Sequence, residues 1–287
     1  TVVNANKSRK VHMKDDFTSL QGNHVIVNVP MEDETLWLEC TSQQTAFNYL
    51  GNFTDNRYAL SITPEGGEII STANYPAEVN QEITRAKGEL LGDGTLKINY
   101  EIESSGLQYD RMYAFDFMSQ SDQMKGMRSF LDNLPHVKIT DLNFDNDRKN
   151  AVFQSQITAE SPQFAQKVGN ELMLNVLTFE RFRVGLKKDN HRKYPFEIRW
   201  GYTDETDFEL KLPKGYQLSQ ALPPQIMDSE FGTYHLILTK IDEQTLRVQR
   251  KLMINDGVYP KEKFNDYVEF QRKISSLDNS KILIQRI

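Results

Sequence analysis

The sequence predicts a β-rich α+β protein of two or three domains, on three observations. At 287 residues it is too long for one small domain. Its dominant pattern is short apolar–polar alternation broken by Gly, Pro, Asn and Asp, the signature of strands and turns. Helical periodicity is confined to two stretches near residues 121–134 and 260–275.

His24–Val29 reads as a strand and Leu36–Thr41 as its partner, across the polar turn 30–35. Tyr58–Ile62 and Glu68–Ser71 flank a second turn, Thr63-Pro64-Glu65-Gly66-Gly67. Thr84–Leu91 and Thr95–Glu103 alternate strongly, and Gly92-Asp93-Gly94 joins them as a hairpin. Met124, Met127, Phe130, Leu131 and Leu134 form one stripe of a helix over Ser121–Leu134. Ser119 or Ser121 caps its start and Pro135 stops it. Such a methionine-rich stripe is a core face rather than a binding face. Val137–Phe144 and Ala151–Ala159 make another hairpin, and Leu172–Val176 one more strand. The segment 185–193 is the most polar in the chain and reads as a boundary or long exposed loop. Phe196–Tyr202, Asp207–Leu212, Tyr234–Ile241 and Gln244–Ile254 read as a final set of strands. Pro260 opens a short helix carrying Phe264, Tyr267, Val268 and Gln271, and Lys281–Ile287 closes as a strand. The expected division is 1–75, 76–184 and 185–287.

Composition excludes several classes. The chain has 34 Lys plus Arg against 40 Asp plus Glu, so it lacks the basic balance of a general nucleic-acid binder. Its mean hydropathy is -0.59 and no apolar run approaches the length of a membrane span. With 1 Cys no intrachain disulfide is possible. Phosphate-loop and dinucleotide glycine motifs are missing, as are HExxH and GxSxG. The 5 His residues are scattered, so neither metal nor cofactor is implied. Paired carboxylates are plentiful, but none is marked out for glycoside hydrolysis.

One constellation stands above this background. Alternation along the first hairpin puts Val25, Val27 and Val29 on one face and His24, Ile26 and Asn28 on the other. In the partner strand Leu36, Leu38 and Cys40 share a face opposite Trp37, Glu39 and Thr41. Pairing Ile26 with Glu39 and His24 with Thr41 brings the two apolar rows together. His24 and Glu39 become diagonal neighbours on the opposite face. A carboxylate there orients the ring and stabilises its charged form. Cys40 is expected to point into the apolar face, an inert thiol away from His24. Asp55 and Arg57 are expected to form a structural ion pair in a turn.

Here the sequence resembles a family. Histidine on one strand, an acid at the end of the next, then Thr, is similar to the second half of a papain-like transglutaminase core. NHVIVNVP, LWLECTSQ and FNYLGNFTDNRYALSITPEGGE resemble bacterial envelope transglutaminase-like proteins over roughly residues 22–75. LLGDGTLKINYEIESSGLQYD, LPKGYQLSQALPP and EFGTYHLIL fit the same group more loosely. The resemblance implies that residues 1–75 are the sheet half of such a core, followed by one or two antiparallel β-sandwich-like domains. It implies catalytic roles for His24 and Glu39, with Glu standing where the family has Asp. Beside them, Asn23 and Trp37 are the expected substrate-side residues, Asn23 by orienting neighbouring backbone and Trp37 by shielding the site, since it shares the face of Glu39.

The nucleophilic cysteine of the family precedes the histidine, and no Cys lies before His24. Residues 1–16 are polar and unpatterned, and the chain opens without an initiator Met or a signal peptide. The resemblance therefore suggests the C-terminal portion of a longer protein whose upstream part carries the thiol. The implied parent acts on a peptide or protein amide by acyl transfer or hydrolysis, in the periplasm or outer envelope of a Gram-negative bacterium. Acting alone, this chain is not expected to be an active enzyme. A natural family member without a cysteine, or a non-catalytic β-module binding a glycan, peptide or partner protein, is the alternative. A sheet lacking part of its core would also leave a face or edge open to dimerisation.

Overall fold

A computed structural model describes residues 1–7, 9–179 and 181–287. The protein is a β-rich α+β structure, 42% strand and 15% helix. In the first part the strands are β1 (Val2–Val3), β2 (His24–Val25), β3 (Val27–Pro30), β4 (Thr35–Leu38), β5 (Tyr58–Thr63) and β6 (Gly66–Ser71), with the one-turn helix α1 (Gly51–Thr54). Then come β7 (Gln81–Leu90), β8 (Leu96–Ser105), α2 (Gln120–Phe130), β9 (Lys138–Asp147), β10 (Val152–Ser161), β11 (Gln166–Val168) and β12 (Glu171–Asn175). The last part holds β13 (Phe196–Ile198), β14 (Tyr202–Lys211), β15 (Tyr216–Leu218), β16 (Gln225–Ser229), β17 (Gly232–Lys240), β18 (Thr245–Ile254), β19 (Gly257–Tyr259), α3 (Phe264–Asp278) and β20 (Lys281–Arg286). Among the described residues no helix is long and apolar enough to cross a membrane.

The centre of the molecule is an eight-stranded sheet in the order β16-β17-β18-β14-β7-β8-β10-β9. Every pairing in it is antiparallel except that of β7 with β14, which runs parallel from Gln81 opposite Thr203 to Glu89 opposite Lys211. That pairing crosses the boundary expected at 184/185. The hydrophobic core crosses it too, joining Ile98 and Tyr100 of β8 to Phe208 of β14 and Ile274 of α3. Parallel strands need a long connection, here residues 91–201, so no local pattern announces this pairing.

The hairpins follow their turn chemistry. Gly94 has φ +90°, and a Cβ there would lie 2.3 Å from the Ala165 carbonyl oxygen, so only glycine serves between β7 and β8. Ser119 caps α2 by accepting from the Asp122 amide. The helix ends at Phe130, short of Leu134, yet Met127, Leu131 and Leu134 are all buried. The methionine stripe is core, as its period implies. In α3 the buried Phe264, Tyr267, Val268, Gln271 and Ile274 carry the same logic. The polar stretch 185–193 has neither helix nor strand.

The N-terminal unit has its own small core of Val3, Ile26, Trp37, Leu50 and Ala59. A four-stranded sheet, β2-β1-β5-β6, and the β3-β4 hairpin surround it. The opening residues, polar to the eye, are structural. β1 lies between β2 and β5, and Val3 is fully buried. Two valines suffice because both neighbouring strands hydrogen-bond to them.

Candidate functional site

The β3-β4 hairpin adopts the register expected from alternation, with Val27 opposite Leu38 and Asn28 opposite Trp37. Carried outward, that register sets Ile26 opposite Glu39 and His24 opposite Thr41. The faces are reversed from expectation. Ile26 and Trp37 are buried, whereas Val25 and Val27 are exposed and Leu36 and Leu38 half-buried. Val3, Leu50 and Ala59 cover the face that carries Trp37. The valine row faces outward because none of those residues packs on it. Cys40 accordingly is exposed, with the Leu38 carbonyl 3.8 Å away as its contact. It is not the buried thiol expected from the apolar row.

On the packed face His24 and Glu39 meet. His24 Nε2 lies 2.8 Å from Glu39 Oε2, and the two side chains are 14% and 6% exposed, so water shields the pair little. The second carboxylate oxygen, Oε1, accepts from the Thr41 hydroxyl at 2.6 Å and the Thr41 amide at 3.1 Å. Burial pushes the Glu39 carboxyl up. The Thr41 hydroxyl, the His24 ring and the Thr41 amide outweigh it, and the carboxyl titrates below its ordinary value. An ionised carboxylate only accepts, so the proton on His24 sits at Nε2. Phe53 of α1 packs edge-on against the ring, centroid to centroid 5.1 Å. Carboxylate and phenyl ring hold the imidazole from two sides, leaving Nδ1 with no hydrogen-bond partner among the described residues.

The neighbouring turn is anchored from the large sheet. Gly51 starts α1 at φ +62°, and its Cβ position would lie 2.7 Å from Asp110 Oδ1. Asp110 accepts from the Asn52 amide at 2.8 Å and from the Tyr49 hydroxyl at 2.9 Å, and burial raises its carboxyl. Phe53, and through it His24, is thereby tied to the segment after β8.

Asn23 is exposed and Trp37 is buried. Asn23 Oδ1 accepts from the Ala5 amide at 2.7 Å and its Nδ2 donates to the Ala5 carbonyl at 3.2 Å, so its amide is committed to the N-terminal segment. Trp37, 6% exposed, is core; β-pairing with Asn28 turns its ring inward. Neither lines the groove beside Glu39. That groove, about 450 Å³, is bounded by Leu38, Glu39, Thr45, Ala46, Phe47, Arg148 and Lys149. The last two come from the turn between β9 and β10.

Arg57 is 1% exposed and donates to the backbone carbonyls of Asn4, Asn6 and Asp55. Its role is structural, through carbonyls rather than the Asp55 carboxylate, whose cation neighbour is Lys10 at 3.7 Å. A larger cleft of about 650 Å³ lies between α2, residues 181–183 and β14, and contains neither member of the His24–Glu39 pair. Its floor includes Arg250, already paired with buried Asp278. No group of three or more His, Cys, Asp or Glu residues able to hold a metal ion occurs among the described residues.

A family profile described as a domain of unknown function with a solved structure, DUF3858, matches residues 170–284. The match spans β12 to α3 and the first four residues of β20, begins before the expected boundary at 185, and leaves the His24–Glu39 pair outside. No curated protein matches the chain. Among solved structures it is similar to a protein of Parabacteroides distasonis ATCC 8503, provisionally described as a protease. That similarity has a TM-score of 0.42 and 11% identity, over 92% of this chain and 36% of that one. The chain thus spans about a third of the length of that protein.

Proposed function

We propose that this chain carries the histidine–acid half of a transglutaminase-like acyl-transfer site, and that an upstream part of the same protein brings the thiol. The observation that carries the reading is the oriented imidazole. Its Nε2–H is held by an ionised, sheltered Glu39, and its Nδ1 lone pair is left to accept a proton. In this reading His24 Nδ1 takes the thiol proton. The thiolate adds to a peptide amide carbonyl, and the leaving amine takes that proton as the thioester forms. Water or a second amine then cleaves the thioester and regenerates the thiol. The charge that appears on the ring is stabilised by Glu39. The exposed row of Val25 and Val27, with half-buried Leu36 and Leu38, offers an apolar surface on which the upstream part packs. We propose, on the resemblance alone, that the parent resides in the periplasm or outer envelope.

The test uses the complete protein as its own cell makes it. Alkylation by iodoacetamide is followed by mass spectrometry across pH. The reading expects one upstream cysteine to react faster than an ordinary thiol at pH 6, and His24→Asn to return it to the ordinary rate. A complete protein without such a cysteine, or with a thiol indifferent to His24→Asn, overturns the reading and leaves a binding module.

A further inference from the structure

We propose that the groove between the Glu39 loop and the β9–β10 turn is a subsite for a carboxylate-bearing part of a peptide, with Lys149 reading its charge. The substrate class deepens the acyl-transfer reading and rests on it for what happens next door. The binding itself rests on the groove.

The groove is a built surface. Asp147 Oδ1 accepts from the amides of Lys149 and Asn150 at 3.0 and 3.2 Å, and its Oδ2 accepts from the Asn150 side chain at 2.7 Å. The aspartate that starts the turn therefore turns its own charge into the turn. Two further links bolt the turn to the loop after Glu39. The Phe47 amide donates to the Arg148 carbonyl at 3.0 Å, and Arg148 Nη2 donates to the carbonyls of Gln43 and Thr45. The guanidinium also stands over the Phe117 ring, 5.9 Å from its centroid. Both walls are thus fixed relative to each other, although one hundred residues separate them in sequence.

The charges on those walls do not balance. The acceptors of Arg148 are neutral carbonyls, and neither Arg148 nor Lys149 makes an ion pair among the described residues. The one acid lining the groove, Glu39, is ionised and hydrogen-bonded to His24 and Thr41, so one anion stands against two cations. Two cations therefore face a lining of Leu38, Ala46 and the 55% exposed ring of Phe47. A ligand with a carboxylate on an apolar stem meets both features. The groove touches the acid of the pair, so a peptide held here has its chain beside His24.

The experiment is an NMR titration of the chain with the blocked peptide acetyl-Glu-Phe-Glu-amide and its neutral counterpart acetyl-Gln-Phe-Gln-amide. The acidic peptide is expected to shift the amide signals of Phe47 and Lys149 and to bind at least about tenfold tighter than the neutral one. Lys149→Gln should weaken it about threefold to fivefold, the loss expected for one exposed ion pair. Lys149→Glu should erase the preference for the acidic peptide. The exposed turn tolerates either change, which an unaltered urea midpoint verifies. Equal affinity for the two peptides, no binding of either, or a preference that survives Lys149→Glu overturns the proposal. The ring nitrogens of His24, read in the same samples, separate the two readings. Shifts at Lys149 with a disordered His24 tautomer keep the subsite and sink the acyl-transfer reading. An ordered His24 without binding does the reverse.

Discussion

Replacing Glu39 with alanine tests whether the His24–Glu39 pair is a built device or a surface contact. The carboxylate accepts three hydrogen bonds, from the His24 ring, the Thr41 hydroxyl and the Thr41 amide. A hydrogen bond to a charged group is worth about 1.5–3 kcal/mol. The three share one carboxylate and Thr41 is exposed, so they do not add. The substitution should cost the N-terminal unit about 2–4 kcal/mol, and Thr41→Val about 1 kcal/mol. Urea unfolding read from Trp37 fluorescence measures this, because that ring is buried in the small core. The pH dependence has a definite sign. The carboxyl of Glu39 titrates lower in the folded chain than in the unfolded one. Its contribution is therefore full above the unfolded value and is lost as pH falls through the folded one. Wild type and Glu39→Ala should converge in stability on acidification. Nitrogen-15 shifts of the ring supply the second readout: the Nε2–H tautomer in wild type, a mixture in Glu39→Ala. A cost below about 0.5 kcal/mol, the size of a typical exposed pair, together with an unchanged tautomer, would refute the reasoning.

Three further outcomes follow from packing. Asp278 is fully buried and accepts from Tyr234, from Arg250 twice and from the Phe182 amide. Asp278→Ala should cost about 3–5 kcal/mol by leaving buried Arg250 unpaired, and the double change Arg250→Met, Asp278→Leu less than the sum in a urea double-mutant cycle. Trp37→Ala empties the small core and should cost about 3–5 kcal/mol, seen as faster amide exchange throughout β1 to β5. Gly51→Ala sets a Cβ against the Asp110 carboxylate at φ +62°. It should cost at least about 1–2 kcal/mol, and the loosened Phe53 ring should broaden the His24 signals.

Local chemistry made much of the fold legible. Turn residues and alternation located both long hairpins of the middle segment, and the 3.6 period located α2 and α3 within a few residues at most ends. The same pattern placed His24 and Glu39 together, because register on one short hairpin depends on a few neighbouring residues. What stayed hidden depends on distant parts of the chain. The parallel β7–β14 pairing is held by contacts between residues 81–89 and 203–211, far apart in the sequence. β1 is two valines whose significance lies wholly in β2 and β5.

The reversed hairpin shows the same division within one site. Alternation decides which side chains share a face, since successive Cβ atoms point opposite ways. It does not decide which face is covered. Three valines in a row looked like a core face, yet the cover goes to Trp37 and Ile26, where Val3, Leu50 and Ala59 converge from three other segments. A tryptophan buries more area than any single valine, and the face bearing it also carries the carboxylate. The inward choice therefore shelters the His24–Glu39 pair between core and groove, and places the valine row on the outer surface. Had the valine row faced inward, Glu39 would have been an exposed acid, and its hydrogen bond to His24 would have held the ring only weakly against water.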